Sequence, residues 1–497
     1  MERPLASYQR PLRSLANLLN VAAPREDVMI SGMTQSSQEV ESGDIFLAFP
    51  GAKTHGARYC PDAIHRGARA VLTDSTGAEI IKDLAREFPT LIVENPRKSA
   101  GSISAWFYDE PMRDMYCVGI TGTNGKTTTT TLLYQIWMRA GRDSGLVGTV
   151  ETRIGKDILK SQRTTPESSD LQALVATMRE RHVRNLAMEV SSHAISLERI
   201  RGAHFSVVAF TNLTQDHLDF HNTMEDYFQV KAALFTFEYA DLGVINIDDP
   251  YGARLAESAE IPIRTLSRSR PSADWSYVSA EAHLRGSEVV IRGVGGILIE
   301  GFLPLHGDYN LDNALMAVAL AFESGVDPLE IAATLPTLSG APGRLEPVEV
   351  GQAFGAFVDY AHSPDAVSRV LDACRSMTEG KVIAVLGCGG DRDSTKRALM
   401  GSALAKGSDV AVFTSDNPRS EDPLKILDQM TSEIVLSPPN QVIPDRRSAI
   451  EYAVAQASSG DIVVILGKGH ETGQESGGVI TPFDDRLILA QAIEGRA

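Results

Sequence analysis

Short apolar runs alternate with longer amphipathic stretches along most of this chain. Near the amino end, Ile45 to Phe49, Ala70 to Thr73 and Thr90 to Val93 read as strands between helix-like segments. A polar stretch, Asn95-Pro96-Arg97-Lys98, and a proline-containing break at Asp109-Glu110-Pro111 close this block. An apolar strand, Tyr116 to Ile120, then enters a glycine-rich loop and a helix from about Thr127 to Ala140, the strand–loop–helix unit from which parallel sheets are built. Residues 273–305 break the pattern. There apolar and polar positions alternate around Arg292-Gly293-Val294-Gly295-Gly296, which predicts hairpins. From near Gly343-Arg344 the apolar runs return, at Ala356 to Val358, Val382 to Leu386, Val410 to Phe413 and Ile462 to Leu466. The pattern predicts an α/β protein of three domains, 1–112, 113–343 and 344–497, and 497 residues agree with about three domains.

Composition narrows the class. Hydrophobic residues at 43% and charged residues at 22% suit a globular protein with a core of normal size. Lys and Arg total 47 against 64 Asp and Glu, a net charge of -17, which argues against nonspecific nucleic-acid or anionic-membrane binding. Cys60, Cys117, Cys374 and Cys388 have no CxxC spacing and are expected as reduced thiols. The start lacks a signal-peptide run, and the longest apolar stretch, Ala314 to Phe322, is too short to span a bilayer, so membrane insertion is not expected and the expected compartment is the cytoplasm.

The loop Gly122-Thr123-Asn124-Gly125-Lys126-Thr127-Thr128 departs from the textual phosphate-loop pattern, because Ile120 stands where the first glycine belongs. Its physics survives. Gly122 and Gly125 permit turns that aim backbone N–H groups inward, Lys126 brings a cation to phosphates, and Thr127 offers Mg²⁺ a hydroxyl at a helix start. ATP is the expected ligand. Glu189, after the apolar run Asn185 to Ala187, is a candidate Mg²⁺ ligand, since hard cations prefer oxygen. Thr211-Asn212-Leu213-Thr214-Gln215-Asp216-His217-Leu218-Asp219-Phe220-His221 is dense in further ligands, with His217 the strongest. Lys231 lies in an amphipathic stretch predicted as a helix from Met224 to Phe237, where an exposed lysine is the ordinary expectation.

In an open parallel sheet, ligands collect beyond the carboxyl ends of the strands. Four such ends in the third block are polar: Asp359-Tyr360-Ala361-His362-Ser363-Pro364, Gly387-Cys388-Gly389-Gly390-Asp391-Arg392-Asp393, Ser415-Asp416-Asn417-Pro418-Arg419 and Gly467-Lys468-Gly469-His470-Glu471. Their convergence predicts a site.

The loop Thr121 to Thr128, together with these motifs and Pro342-Gly343-Arg344-Leu345-Glu346, resembles the Mur ligases. That resemblance implies an amino-terminal UDP-binding α/β domain, a central phosphate-loop domain with added hairpins and a Rossmann-like amino-acid-binding domain. It implies that ATP phosphorylates the γ-carboxylate of a D-glutamate in UDP-MurNAc-L-Ala-D-Glu and that an amine then displaces phosphate. Lys231 would be carbamylated and would hold a second Mg²⁺. The implied catalytic set is Lys126, Lys231, His217 and Glu189, and the metal set is Thr127, Glu189, His217 and carbamylated Lys231. Asn310, with Asn313 behind it in expectation, would lie near the adenine, and Arg344 and Asp359 would face the nucleotide. Thr164, Thr165, Ser191 and Arg199 would grip the muramoyl-dipeptide. Gln35 and Ser37 would belong to the UDP domain, where His55-Gly56 departs from the family's acid-Gly; Leu197 stands where several relatives have glutamine. Arg392, Asp416, Asn417, Pro418, Arg419, Gly467 and Glu471 would face the incoming amino acid. The Asp-Asn-Pro-Arg run resembles members that add meso-diaminopimelate, and the chemistry agrees: Arg419 can grip its distal carboxylate bidentately, which lysine lacks. A monomer is expected. A folylpolyglutamate synthase or another Mur ligase, and an ATP-binding switch without ligase chemistry, are the rival readings; the UDP-type block and the Asp-Asn-Pro-Arg run argue against the enzymes, and the switch has no need of Glu189, His217 and Lys231 together.

Overall fold

The computed structural model describes residues 3–51, 54–161, 163–217, 220–283 and 286–496. Three main sheets carry the chain. In the first, Gly32–Thr34, Asp44–Leu47, Ala70–Thr73 and Thr90–Ile92 stand side by side, all parallel and in chain order. Leu47, Leu72 and Leu91 pack on Leu12, Leu15, Ile103 and Phe107 on one face, while Phe46 and Val71 meet Ala57, Cys60 and Ala63 on the other. Burial on both faces is why these strands read as continuous apolar runs and not as alternations.

Among the described residues the central sheet has eleven strands. Its parallel heart places Tyr116–Thr121 between Asn185–Glu189 and Phe205–Phe210, followed outward by Ala240–Asn246 and Ile263–Ser267. The hairpins expected within 273–305 are present as the antiparallel strands Trp275–His283, Gly286–Arg292 and Leu298–Leu303. A second antiparallel pair, Glu151–Ile154 with Asp157–Lys160, extends the opposite edge and carried no sequence expectation. The helix Lys126–Arg139 opens with five threonines after its lysine, poor helix formers that are all buried here. Tertiary packing overrides their preference: Leu132, Leu133, Ile136 and Trp137 lie against Ala314, Leu315 and Val318 of the helix Asp308–Glu323. Each buried leucine-sized side chain stabilises by about 1.5–3 kcal/mol.

The helix that carries Lys231 spans Met224–Ala232 and stops five residues before the expected Phe237. Beyond it the chain turns so that Leu234 and Phe235 enter the core, leaving Phe237 exposed. The third sheet orders Glu346–Pro347, Gly355–Asp359, Ile462–Leu466, Val382–Cys388, Val410–Ser415 and Gln441–Val442, parallel except for the first. All four cysteines are free and buried, and burial pushes the Cys60 and Cys388 thiols up to about 12, which leaves them unreactive. Among the described residues no helix is long and apolar enough to cross a membrane.

Candidate active site

The phosphate loop leaves the strand Tyr116–Thr121 in backbone conformations that require its glycines. Gly122 has φ 148° and Gly125 φ 85°; a Cβ on the first would stand 1.9 Å from Thr211 Oγ1, and on the second 2.3 Å from Asn313 Oδ1. The segment Thr211–Thr214, expected to be rich in potential ligands, braces the loop, and Thr211 and Asn212 also line its cavity. Thr123 N donates to Asn212 O (2.8 Å), Asn124 N to Asn212 Oδ1 (2.9 Å), and Thr211 Oγ1 to Asn124 O (2.6 Å). Leu218 and Asp219 of the same motif lie outside the described residues.

Lys126 Nζ donates to the carbonyls of Gly122 and Thr123, each at 2.9 Å, and burial lowers its pKa. Thr127 Oγ1 donates to Glu189 Oε2 at 3.1 Å. Glu189 ends the strand Asn185–Glu189, almost fully buried, and does not sit in the loop after it. Its carboxylate also accepts from Thr149 N (2.7 Å) and Thr149 Oγ1 (3.0 Å). Thr149 belongs to no motif; its signal is its place just past Ser144–Val147, the parallel neighbour of Asn185–Glu189.

Lys231 is 1% exposed, against the ordinary expectation of a solvated lysine. Its Nζ donates to Gly122 O (2.9 Å) and lies 3.3 Å from Thr121 Oγ1 and 4.8 Å from the Tyr227 ring centre. Burial, then the neighbouring Lys126, holds its pKa well below the usual lysine value. His217 has φ 54° and stands in the cleft with Nε2 3.6 Å from Asp216 Oδ2; desolvation there pushes its pKa down to about 4, against the pull of Asp216. Among the described residues no three His, Cys, Asp or Glu side chains form a ready metal cluster. Of the expected metal set, Thr127, Glu189 and His217 line one cavity, while Lys231 faces the carbonyl of Gly122 behind the loop.

That cavity, of about 260 Å³, continues to the third sheet. Asp359 accepts from Leu345 N (2.6 Å) and Ala361 N (2.7 Å), and the Arg344 guanidinium lies 4.7 Å over the Tyr360 ring with its Nε buried and unpartnered. Asn313 reaches the wall, and Asn310 stands behind it: Asn313 Nδ2 donates to Asn310 Oδ1 at 3.3 Å, and Asn310 Nδ2 is tied to His306 O at 2.9 Å. Asn310 is set back from the cavity because the third residue of a helix that starts at Asp308 points back toward the preceding turn.

A second cavity, of about 570 Å³, opens beyond the four strand ends and gathers Arg392, Asp416, Asn417, Arg419, Gly467 and Glu471. Asn417 Nδ2 donates to Glu471 Oε2 (2.8 Å), and the fully buried Lys468 donates to both Asn417 Oδ1 (3.2 Å) and Glu471 Oε2 (3.1 Å). Arg419 takes a left-handed φ of 52°, pinned by its own N–H to Glu475 O (3.0 Å) and by Gly477 N to its carbonyl (2.7 Å). Its Nη1 donates to Gly390 O (2.5 Å), and its Nε lies 3.6 Å from Glu475 Oε2. Pro418 presses against Gly390, where a Cβ would stand 1.9 Å from the Pro418 carbonyl. Beneath the pocket the fully buried pair Arg446 and Asp485 joins two strand ends, with Arg446 donating to Ser415 O (3.3 Å) and Leu466 O (2.9 Å). Lys468 lies within the fourth polar strand end but has no role that its sequence implies, and Glu475 carries no sequence signal.

The two cavities share a wall formed by Thr164, Asp216, His217, Tyr360 and His362. Thr164 Oγ1 is 3.0 Å from Thr149 Oγ1, and Thr165 Oγ1 links Glu189 O (2.8 Å) to Ser191 N (3.1 Å). Arg199 lines neither cavity; its Nε lies 2.9 Å from Glu167 Oε1, a carboxylate that Arg97 and Arg163 also contact. Gln35 and Ser37 follow the strand Gly32–Thr34, half-buried and apart from both cavities. His55, at the departure from the family pattern, caps the next turn through Nδ1 from Ala57 N (3.0 Å), with Nε2 3.1 Å from Asp74 Oδ1.

Comparison with known proteins agrees with this geometry. The Mur ligase middle domain matches residues 120–321, the Mur ligase glutamate ligase domain residues 343–469, and the Mur ligase family catalytic domain residues 29–101. The chain is 49% identical over 498 residues to the UDP-N-acetylmuramoyl-L-alanyl-D-glutamate–2,6-diaminopimelate ligase of Streptomyces coelicolor, covering 99% of this chain and 98% of that protein. It is 40% identical over 504 residues to the UDP-N-acetylmuramyl-tripeptide synthetase of Leifsonia xyli, with the same coverage of 99% and 98%. A solved UDP-N-acetylmuramoyl-L-alanyl-D-glutamate–2,6-diaminopimelate ligase superposes with a TM-score of 0.68 at 30% identity over 100% of this chain and 99% of that one. A Mycobacterium tuberculosis folylpolyglutamate synthase shares the fold at a TM-score of 0.60 and 19% identity, over 75% of this chain and 92% of its own. With all three domain types in order and close relatives along its whole length, the chain belongs to the Mur ligase family.

Proposed function

We propose that this protein joins meso-diaminopimelate to the γ-carboxylate of D-glutamate in UDP-MurNAc-L-Ala-D-Glu, at the expense of ATP and through an acyl phosphate, as a cytoplasmic monomer. One observation carries the reading: a phosphate-loop cavity and a pocket with Arg419, Asp416 and Glu471 share a wall, so an acid activated on one side can meet an amine held on the other. The names of the full-length relatives support the same substrates.

Lys126 and the loop N–H groups stabilise the transferring phosphoryl group. Arg344, whose buried Nε has no partner among the described residues, and Asp359 hold the nucleotide. Arg419 grips the distal carboxylate of diaminopimelate, assisted by Arg392, Asn417 and Glu471. Thr164, Thr165 and Ser191 position the muramoyl-dipeptide at the shared wall, Arg199 lies further along its path, and Gln35 and Ser37 serve the UDP. The Thr127 hydroxyl and Glu189 carboxylate, 3.1 Å apart, are the hard oxygen pair that suits Mg²⁺, which when bound neutralises charge on the triphosphate. A second Mg²⁺ would take His217 and Lys231 as its carbamate. The depressed pKa of Lys231 favours the neutral amine that adds CO₂.

The test is phosphate release from ATP with each acceptor present or omitted. Release should require both UDP-MurNAc-L-Ala-D-Glu and diaminopimelate. Equal turnover of lysine would overturn the amino-acid assignment, and release without the UDP-linked acceptor would overturn the reaction.

A further inference from the structure

His362 stands on the wall that the two cavities share, just beyond the strand Gly355–Asp359. Its Nδ1 lies 2.8 Å from the Tyr360 carbonyl, and the Tyr360 ring meets the imidazole edge-on with centroids 4.7 Å apart. A carbonyl only accepts, so the proton sits on Nδ1 and the neutral ring carries its lone pair on Nε2. Among the described residues Nε2 has no hydrogen-bond partner, and the ring is open to the cleft. The carboxylates around it are committed elsewhere: Asp359 to two backbone N–H groups, Glu471 to Lys468 and Asn417, Asp216 to His217 N at 2.9 Å.

We propose that His362 is the general base that receives the proton of the attacking amine, a reading that rests on the acyl-phosphate ligase function above. The substrate amine arrives as an ammonium. Nε2 takes one proton, and the freed nitrogen lone pair attacks the acyl carbon. The C–N bond forms, and the bond from that carbon to the phosphate oxygen then breaks. The second amine proton leaves with the phosphate, which departs as HPO₄²⁻ with the electron pair, and His362 returns its proton to water. The charged groups facing the imidazole are Asp216, which favours its protonation, and Lys396 and Arg344, which oppose it. Desolvation by the surrounding cleft, with Lys396 and Arg344 adding to it, outweighs Asp216 and the Tyr360 carbonyl, so the ring is neutral and able to accept near pH 7.

Hydroxylamine separates this proposal from the reading beneath it, because it is uncharged near neutrality and captures an acyl phosphate as a hydroxamate without a base. With UDP-MurNAc-L-Ala-D-Glu and ATP, wild type should form the hydroxamate, and its absence would sink the acyl-phosphate reading itself. His362→Asn keeps an amide to meet the Tyr360 carbonyl but has no base. It should form hydroxamate at the wild-type rate while amide formation with diaminopimelate falls about a hundredfold, with the acidic limb of its pH profile lost. Diaminopimelate turnover within a few-fold of wild type, or equal loss of hydroxamate and amide in a variant with the wild-type melting transition, would overturn the proposal. If His362→Asn does not fold, His362→Gln takes its place with the same two readouts.

Discussion

The phosphate loop and the proposed amino-acid pocket both lie beyond the carboxyl ends of parallel strands, yet they are made of different material. The loop is shaped by backbone: glycines at φ 148° and 85°, and two lysines, Lys126 and Lys231, that converge on the single carbonyl of Gly122. The pocket is shaped by side chains, through the Lys468, Asn417 and Glu471 triangle and the clamp of Glu475 on Arg419. A backbone-built site tolerates few alternatives and shows itself as a contiguous motif. A side-chain-built site gathers residues from separate strand ends and leaves its supports unmarked.

If Lys231 serves chemistry and not only the loop's shape, Lys231→Ala should lower kcat by about a thousandfold while the melting temperature changes little. Full activity in the phosphate-release assay would make it a structural brace. Arg419→Lys should lower kcat/KM for diaminopimelate by about a hundredfold with the KM for ATP unchanged, since an ammonium cannot replace the planar fork. An equal rise in both KM values would dissolve the distinction between the two regions. Lys468→Met should raise the KM for the amino acid about tenfold by freeing Asn417 and Glu471, with hydroxamate capture untouched. The smallest effect concerns pH. Burial, with Arg344 adding to it, pushes His470 down to about 4, whereas an unfolded histidine titrates near about 6.5. Between those values the unfolded chain binds the extra proton, so stability falls as pH drops through that window. The melting temperature of His470→Asn should fall less steeply there than that of wild type.

How much of this was legible in the sequence follows the same division. Ala70–Thr73 and Ile462–Leu466 coincide with their apolar runs, because strands buried on both faces leave no polar position to blur their ends. The loop's residues stood out through their glycines, Lys126 and Thr127 between an apolar strand and a helix, although the spacing departs by one position. The end of the helix at Ala232 was not, since Leu234 and Phe235 continue an apolar pattern that only the core explains. Nor was the place of Asn313 at the cavity wall with Asn310 behind it, which depends on side-chain direction within the helix's first turn. Thr149 and Glu475 act through contacts 40 and 56 residues away in sequence, to Glu189 and Arg419, at distances no local pattern encodes.

The buried pair of Arg446 and Asp485 bears on how the protein comes into being. Asp485 holds the arginine that ties Ser415 to Leu466, the residues immediately before Asp416 and Gly467 of the pocket. The ribosome makes Asp485 after every one of them, while the whole phosphate loop and its braces have already emerged. During synthesis the nucleotide half can therefore mature ahead of the half that receives the amino acid, and a nascent chain halted before Asp485 would have an ATP site with no properly set recipient beside it.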